Sequence, residues 1–315
     1  MINQSVALIT GSNGFVGQWL SDLLQLNGYK VVGIDNTDLS RNSKIDYEKV
    51  DILDTVKLSS LIGKLQPELI FHLAGVSYLP DADRSPCQSI EINVLGTLSV
   101  FESVRMTCPS SKILFVGSSK EYSSNINATV ITEDIHPVPE NFYGISKYCA
   151  EMFGQQFVRQ FGMKIYFTRS FNHTGPGQSP LFVCSDWAKQ IVNIDRGNAS
   201  PTLLTGNLES TIDFTDVRDV VDGYYKILKH GKAGEVYNVC SGSGYTLEWI
   251  LTYLTKKSSK EISVQQESAK QRNHATNRYL TGDNSKLRKH TGWKCSIPME
   301  KTLDDLYDYW VNQVY

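Results

Sequence analysis

The sequence predicts an α/β protein with a doubly wound parallel sheet and a smaller C-terminal lid, and three observations point to this class. The glycine-rich octet Thr10–Gly17, TGSNGFVG, directly follows the apolar run Val6-Ala7-Leu8-Ile9. Continuously apolar short segments then alternate with helix-period segments through the first half of the chain. After Asn172 the texture changes to loops rich in Gly, Pro, Asn and Ser between shorter helical stretches.

Val6–Ile9 reads as the first strand. Gly11 permits the tight turn after it, Gly14 lets the backbone approach a pyrophosphate, and Gly17 lets the next helix, Gln18 to Asn27, pack close to the strand with its N-terminal amides facing the anion. A second strand, Lys30 to Ile34, ends in Asp35, whose carboxylate can accept hydrogen bonds from both hydroxyls of an adenosine ribose. The same charge repels a 2′-phosphate, which favours NAD(H) over NADP(H) and leaves NADP(H) open. Next come Tyr47–Ile52, a helical pattern Thr55–Leu65 closed by Gln66-Pro67, the strand Leu69–Leu73 and the helical pattern Asn93–Met106. Strand Lys112–Val116, a long helix Asn141–Phe161 and strand Lys164–Arg169 follow. Apolar strands separated by helices indicate a parallel sheet covered on both faces, wound by right-handed crossovers. Beyond Asn172 a helix is expected over Ser185–Asp195, and strand Glu235–Val239 and helix Leu247–Lys256 are expected to return to the sheet. The division is therefore a dinucleotide-binding domain over 1–171, with 210–258 partly rejoining its sheet, and a substrate-binding domain mainly from 172–209 and 259–315.

The 315 residues carry a formal net charge of −2, with 20% charged and 41% apolar residues, so neither disorder nor polyanion binding is expected. No basic tract suggests nucleic acid as a partner. The six cysteines are scattered without paired spacing and read as reduced thiols of a cytoplasmic protein. No apolar run reaches membrane-spanning length, and the strand that begins within the first ten residues leaves no room for a signal peptide. No His/Cys/Asp grouping has metal-ligand spacing, so no metal is expected.

Tyr143 and Lys147 form Y-x-x-x-K, and the i, i+4 spacing puts both on one helical face. A nearby ammonium lowers the pKa of a phenol, so this pair suits proton exchange near neutrality, and the lysine is also able to hold a nicotinamide ribose. Strand Lys112–Val116 leads into Gly117-Ser118-Ser119-Lys120-Glu121-Tyr122, and a serine at the carboxyl end of such a strand can donate to a carbonyl or alkoxide oxygen. Ser118, Tyr143 and Lys147 together fit transfer of hydride and proton at a carbinol carbon.

The glycine octet, His72-Leu73-Ala74-Gly75, the N-V-x-G-T at 93–97, the serine pair and Y-x-x-x-K resemble the extended short-chain dehydrogenase/reductases, the NAD-dependent epimerase/dehydratase family with a Rossmann fold. Phe171–Gln178, Asp213–Asp219, Tyr237–Gly242 and Thr291–Lys294 resemble the GDP-4-keto-6-deoxy-D-mannose reductases, which form GDP-D-rhamnose. The resemblance runs along essentially the whole chain. It implies Ser118, Tyr143 and Lys147 as the catalytic set, with Tyr143 as general acid. It implies a cofactor set of Gly11, Asn13, Gly14, Phe15, Val16, Gly17, Asp35 and Asn36, with Asp51 and Ile52 at the adenine and Leu73, Ala74 and Gly75 along the centre, completed by Tyr143 and Lys147. For the nucleotide-diphospho-sugar substrate it implies Ser77, Ser119, Lys120, Asn172, His173 and Arg272.

Three departures bear on substrate. Lys120 stands where dehydratases of this superfamily carry an elimination acid and where epimerising reductases carry a cysteine, which disfavours both. Ile212 replaces an arginine that binds the nucleotide's phosphates, leaving Arg272, Arg278 or Lys189 to supply charge. Around Arg272 the usual R-P-x-E-V reads Arg272-Asn273-His274-Ala275-Thr276. The reading is thus reduction of the C4 ketone of a nucleotide-diphospho-4-keto-6-deoxysugar. Its rivals are an NAD-retaining 4-epimerase, a reductase of another sugar nucleotide such as a GDP-heptose, and a redox-sensing binding protein without catalysis. His72 reads as a packed core histidine, His173 equally as binder or packing residue, and Trp293 and Trp310 as packing anchors. The helices 93–106 and 143–161 correspond to a pair that forms a four-helix dimer interface in relatives, so a homodimer is expected.

Overall fold

The computed structural model describes residues 4–124, 126, 128–267 and 281–313. Seven strands form the central sheet: β1 (Val6–Thr10), β2 (Lys30–Asp35), β3 (Asp46–Lys49), β4 (Leu69–His72), β5 (Lys112–Ser118), β6 (Lys164–Ser170) and β7 (Val236–Val239). Their order is β7-β6-β5-β4-β1-β2-β3, and every neighbouring pair is parallel. The order reverses between β1 and β4, which opens a crevice at the carboxyl ends of those strands.

The strands are apolar on both faces because both are covered. Ala7 and Ile9 point into one core with Leu20, Leu24, Phe71, Tyr224 and Trp293, while Leu8 points into the other with Leu58, Ile62, Phe101, Phe115 and Phe167. Helices Phe15–Leu26 and Val217–His230 build the first layer, and Thr55–Leu65, Thr97–Thr107 and Phe142–Phe161 build the second.

Helix Val217–His230 has no counterpart among the helices read from the sequence. Its signal was present: Asp216 caps it by accepting the Arg218 N–H at 2.8 Å, and Val217, Val220, Val221, Tyr224, Ile227 and Leu228 bury one helical face. The helix expected over Asn93–Met106 begins as a π-turn at Glu91–Gly96 and becomes α-helical at Thr97–Thr107. The segment Tyr47–Ile52, to which the sequence assigns no element, contributes its first residues to the short strand Asp46–Lys49.

The later half forms its own core of Trp187, Ile191, Phe214, Leu247, Ile250, Leu254, Met299, Leu303, Leu306 and Trp310. Helix Leu247–Thr255 packs there rather than on the sheet, because its buried stripe matches the helices Val183–Asp195 and Met299–Asn312. Leu287 and Trp293, though late in the chain, join the first sheet core, where the Trp293 indole donates to the Asp219 carbonyl at 2.9 Å. The loops beyond Asn172 contain short strands at Asn172–Thr174, Thr211–Asp216 and Gly244–Thr246, which pair into a three-stranded sheet. No described helix is long and apolar enough to cross a membrane.

Candidate active site

The glycine turn is shaped by what it cannot hold. Gly11 has φ +73°, and a Cβ there would lie 2.7 Å from the Ala74 nitrogen. A Cβ on Gly17 would lie 2.7 Å from the carbonyls of Gly11 and Ser12, so only glycine lets helix Phe15–Leu26 start this close to β1. Gly14 is exposed at the helix N-cap, so the first-turn amides face outward at the sheet's crevice. This cradle fits a dinucleotide's pyrophosphate. Asp35, at the end of β2, accepts the N–H groups of Asn13 at 3.2 Å and Asn36 at 2.9 Å, leaving carboxylate lone pairs for further donors.

Opposite the turn, β5 ends at Ser118. Ser118 Oγ accepts the Lys120 N–H at 3.2 Å, while Glu121 Oε1 accepts the Ser118 N–H at 2.7 Å, a reciprocal capping box around the short 3₁₀ turn Ser119–Glu121. Helix Phe142–Phe161 starts at Asn141, whose side chain accepts the Gly144 N–H at 2.8 Å. A Cβ on Gly144 would run into the Lys120 carbonyl, so the helix seats directly on the serine turn. That seat sets the Tyr143 hydroxyl beside the Ser118 side chain. One turn later, the Lys147 ammonium donates to the Val116 carbonyl at 2.9 Å.

Electrostatics correct one expectation. Burial pushes the Tyr143 phenol up to about 12, the neighbouring Ser118 side chain acts the other way, and an ionised Glu121 would add to the rise. Burial also brings Lys147 down to about 8, against the charge of Glu121. In this arrangement Lys147 does not make the phenol acidic: desolvation dominates both groups, and the ammonium is directed at a backbone carbonyl.

Two further residues build the site and were not singled out from the sequence. Asn93 lies in the π-turn, where its amide donates to the Val76 carbonyl at 3.1 Å and Ser146 Oγ at 2.9 Å and accepts the Val76 N–H at 2.8 Å. It thereby ties the loop carrying Gly75 to the tyrosine helix. Its signal was the N-V-x-G-T segment itself. Glu121 is fully buried, and its signal was Ser-x-x-Glu at 118–121, the capping-box spacing.

The other expected positions divide by exposure and partner. Asn13 is buried and clamps the following loop, donating to Thr37 Oγ1 at 2.6 Å and the Leu39 carbonyl at 2.9 Å and accepting the Arg41 N–H at 2.8 Å, so its side chain is a brace for the turn. Ile52 is buried beneath Gly96, and Asp51 is exposed beside it. Phe15 stacks on His173, ring centroids 6.2 Å apart, while His173 Nδ1 meets the Phe171 carbonyl at 3.1 Å. Phe15, Val16, Leu73 and Ala74 are half-buried at the crevice, and Asn36 and Gly75 are exposed there. Ser77, Lys120 and Asn172 are exposed and Ser119 half-buried, on the same carboxyl-end side as Ser118. Arg272 and Arg278 lie outside the described residues. Ile212 is half-buried against the lid core, opposite Tyr245.

His72 is fully buried between Thr10 Oγ1 at 2.7 Å and Thr97 Oγ1 at 2.9 Å, and burial lowers its pKa to about 3, so it is a neutral framework group. Among the described residues no three His, Cys, Asp or Glu side chains gather as a metal site.

A family model described as GDP-mannose 4,6 dehydratase matches residues 8–306 of this chain. The chain belongs to the GDP-mannose 4,6 dehydratase family. Within it, the chain is 32% identical over 309 residues to the GDP-6-deoxy-D-mannose reductase of Pseudomonas aeruginosa, covering 97% of each chain. It is 27% identical over 282 residues to a GDP-6-deoxy-D-talose 4-dehydrogenase of Aggregatibacter actinomycetemcomitans, covering 89% of each. The solved structure of RMD from Pseudomonas aeruginosa complexed with NADPH superposes with a TM-score of 0.86 at 30% identity, over 99% of this chain and 100% of that one. The fold is thus that of the extended short-chain dehydrogenase/reductases.

Proposed function

We propose that the chain reduces the C4 ketone of a GDP-4-keto-6-deoxymannose-type sugar nucleotide with hydride from NAD(P)H. The observation that carries this reading is the meeting of Ser118, Tyr143 and Lys147 at the carboxyl end of β5, across the crevice from the glycine cradle. The coenzyme bound there supplies the hydride. Tyr143 gives its proton to the developing alkoxide. Ser118, which accepts the Lys120 N–H on its oxygen, keeps its hydroxyl proton for the same alkoxide. Lys147 holds the nicotinamide ribose from its anchor on Val116.

Lys120 supports reduction over dehydration, since elimination needs an acid at that position and ketone reduction does not. The similarity to the Pseudomonas reductase supports the same choice. Ser77, Ser119, Lys120, Asn172, His173 and Arg272 are our substrate set, with NADH preferred because of the Asp35 charge. The same reading assigns the sheet body to the dinucleotide and the Trp187–Trp310 core to a substrate lid. It includes a cytoplasmic homodimer.

The test is NADH oxidation with GDP-4-keto-6-deoxymannose generated in situ by a dehydratase. Rapid oxidation with a C4-hydroxy product is expected. No oxidation by coenzyme-binding protein would overturn the reading, and C4 inversion by protein that retains NAD through purification would make it an epimerase.

A further inference from the structure

Beneath Ser118 lies a group of buried charges that proton transfer does not use directly. Glu151 and Arg169 form a forked pair, Nη2 to Oε1 at 2.6 Å and Nε to Oε2 at 3.1 Å, and the remaining Arg169 nitrogen donates to the Tyr122 hydroxyl at 3.1 Å. Glu121 is a second carboxyl in the same enclosure. Its Oε1 accepts the Ser118 N–H, but its Oε2 has no hydrogen-bond partner and stands 3.4 Å from Arg169 Nε. A Cβ on Gly117 would collide with Glu121 Oε1 and the Thr168 carbonyl, so glycine leaves the space this carboxyl fills. Two carboxyls thus face one guanidinium, and an unmatched buried charge of this kind is expensive.

We propose that Glu121 is a positioning residue for Ser118, kept neutral by a proton held between it and Glu151, so that it fixes the serine backbone without placing an anion under the proton-donating pair. The proposal rests on the reading of Ser118 and Tyr143 given above. The groups facing Glu121 are Tyr143, Lys147 and Glu151 from the tyrosine helix, Arg169 from β6, and Tyr122 and the Ser118 amide from its own turn. Burial and then Glu151 hold the Glu121 carboxyl well above the usual carboxylate range, Arg169 opposing. Were it ionised, its charge would add to the rise of the Tyr143 phenol and oppose proton donation.

Glutamine reproduces a neutral carboxyl as acceptor and donor, and leucine reproduces only its bulk. Glu121→Leu is expected to lower kcat about tenfold or more while the KM for coenzyme stays put, and Glu121→Gln to rescue most of that loss with the pH limb of kcat unmoved. Wild-type protein at neutral pH should show the infrared C=O stretch of a protonated buried carboxyl, absent in Glu121→Gln, and the Ser118 amide should exchange faster in Glu121→Leu alone. A displaced pH limb in Glu121→Gln, unaltered kcat in Glu121→Leu, or no protonated-carboxyl band would each overturn the proposal. Wild-type inactivity toward sugar nucleotides would instead sink the function, leaving the infrared and exchange outcomes to decide the role of Glu121.

Discussion

The Lys147 ammonium donates to the Val116 carbonyl at 2.9 Å, so the helix bearing Tyr143 is tied to β5 just before that strand delivers Ser118. The tie buries an ammonium whose pKa falls to about 8, against 10.5 in an unfolded chain. Below pH 8 both states hold the proton and the native state bears the full cost of the buried charge. Between 8 and 10.5 the unfolded state binds more protons, so stability rises with pH. Lys147→Met should therefore be more stable than wild type near neutral pH, by up to about 3 kcal/mol, with the difference shrinking toward pH 10. Chemical denaturation of both proteins from pH 7 to 10 checks this, and parallel pH profiles would refute it.

Gly144 is the contact point between the tyrosine helix and the serine turn. Alanine would press its Cβ onto the Lys120 carbonyl, and neither backbone has room to yield without moving Tyr143 from Ser118. Gly144→Ala is expected to cost about 1–3 kcal/mol of stability and to lower kcat with coenzyme affinity nearly kept. A melting curve with steady-state kinetics decides it, and wild-type values in both would show that the helix does not need this seat.

The sheet was legible because its strands are apolar on both faces and its glycines sit where a Cβ would strike backbone, both local properties of β1, β5 and the turn between Thr10 and Gly17. Ser118, Tyr143 and Lys147 were legible for the same reason, as strand-end and i, i+4 patterns. Roles set by partners distant in the chain leave no local pattern. Asn93 acquires its role from Val76 and Ser146, and Glu121 from Glu151 and Arg169. Helix Leu247–Thr255 packs on the lid core and not on the sheet, and the sequence does not distinguish the two because an apolar stripe does not say which apolar surface it meets. The Tyr143 pKa ran opposite to expectation because sequence spacing reports a neighbouring charge but not the desolvation that outweighs it.

The proposed preference for NADH rests on Asp35. Its carboxylate is held by the Asn13 and Asn36 amides at the end of β2, where an adenosine ribose meets a dinucleotide fold of this kind. Asp35→Asn keeps the size and removes the charge. Wild type should show the higher kcat/KM with NADH, and the variant should raise the NADPH-to-NADH ratio about tenfold, the effect of roughly 1.4 kcal/mol of relieved repulsion. An unchanged ratio would assign selection to other groups.

The tyrosine helix turns its other face outward. Phe142, Ile145 and Met152 are each close to half exposed along one stripe, and Leu95 and Met106 extend the apolar surface on the neighbouring helical segments. Large apolar side chains exposed in such numbers on these helices favour a protein partner over water. A second copy of this chain meets the requirement, since a two-fold axis sets the stripe against itself. Wild type should elute as a dimer whose melting temperature rises with protein concentration. Ile145→Asp with Met152→Asp should convert it to a monomer with a concentration-independent melt, because each dimer would bring four buried carboxylates into one apolar seam. Both proteins sedimenting at the same mass would remove this face as the interface.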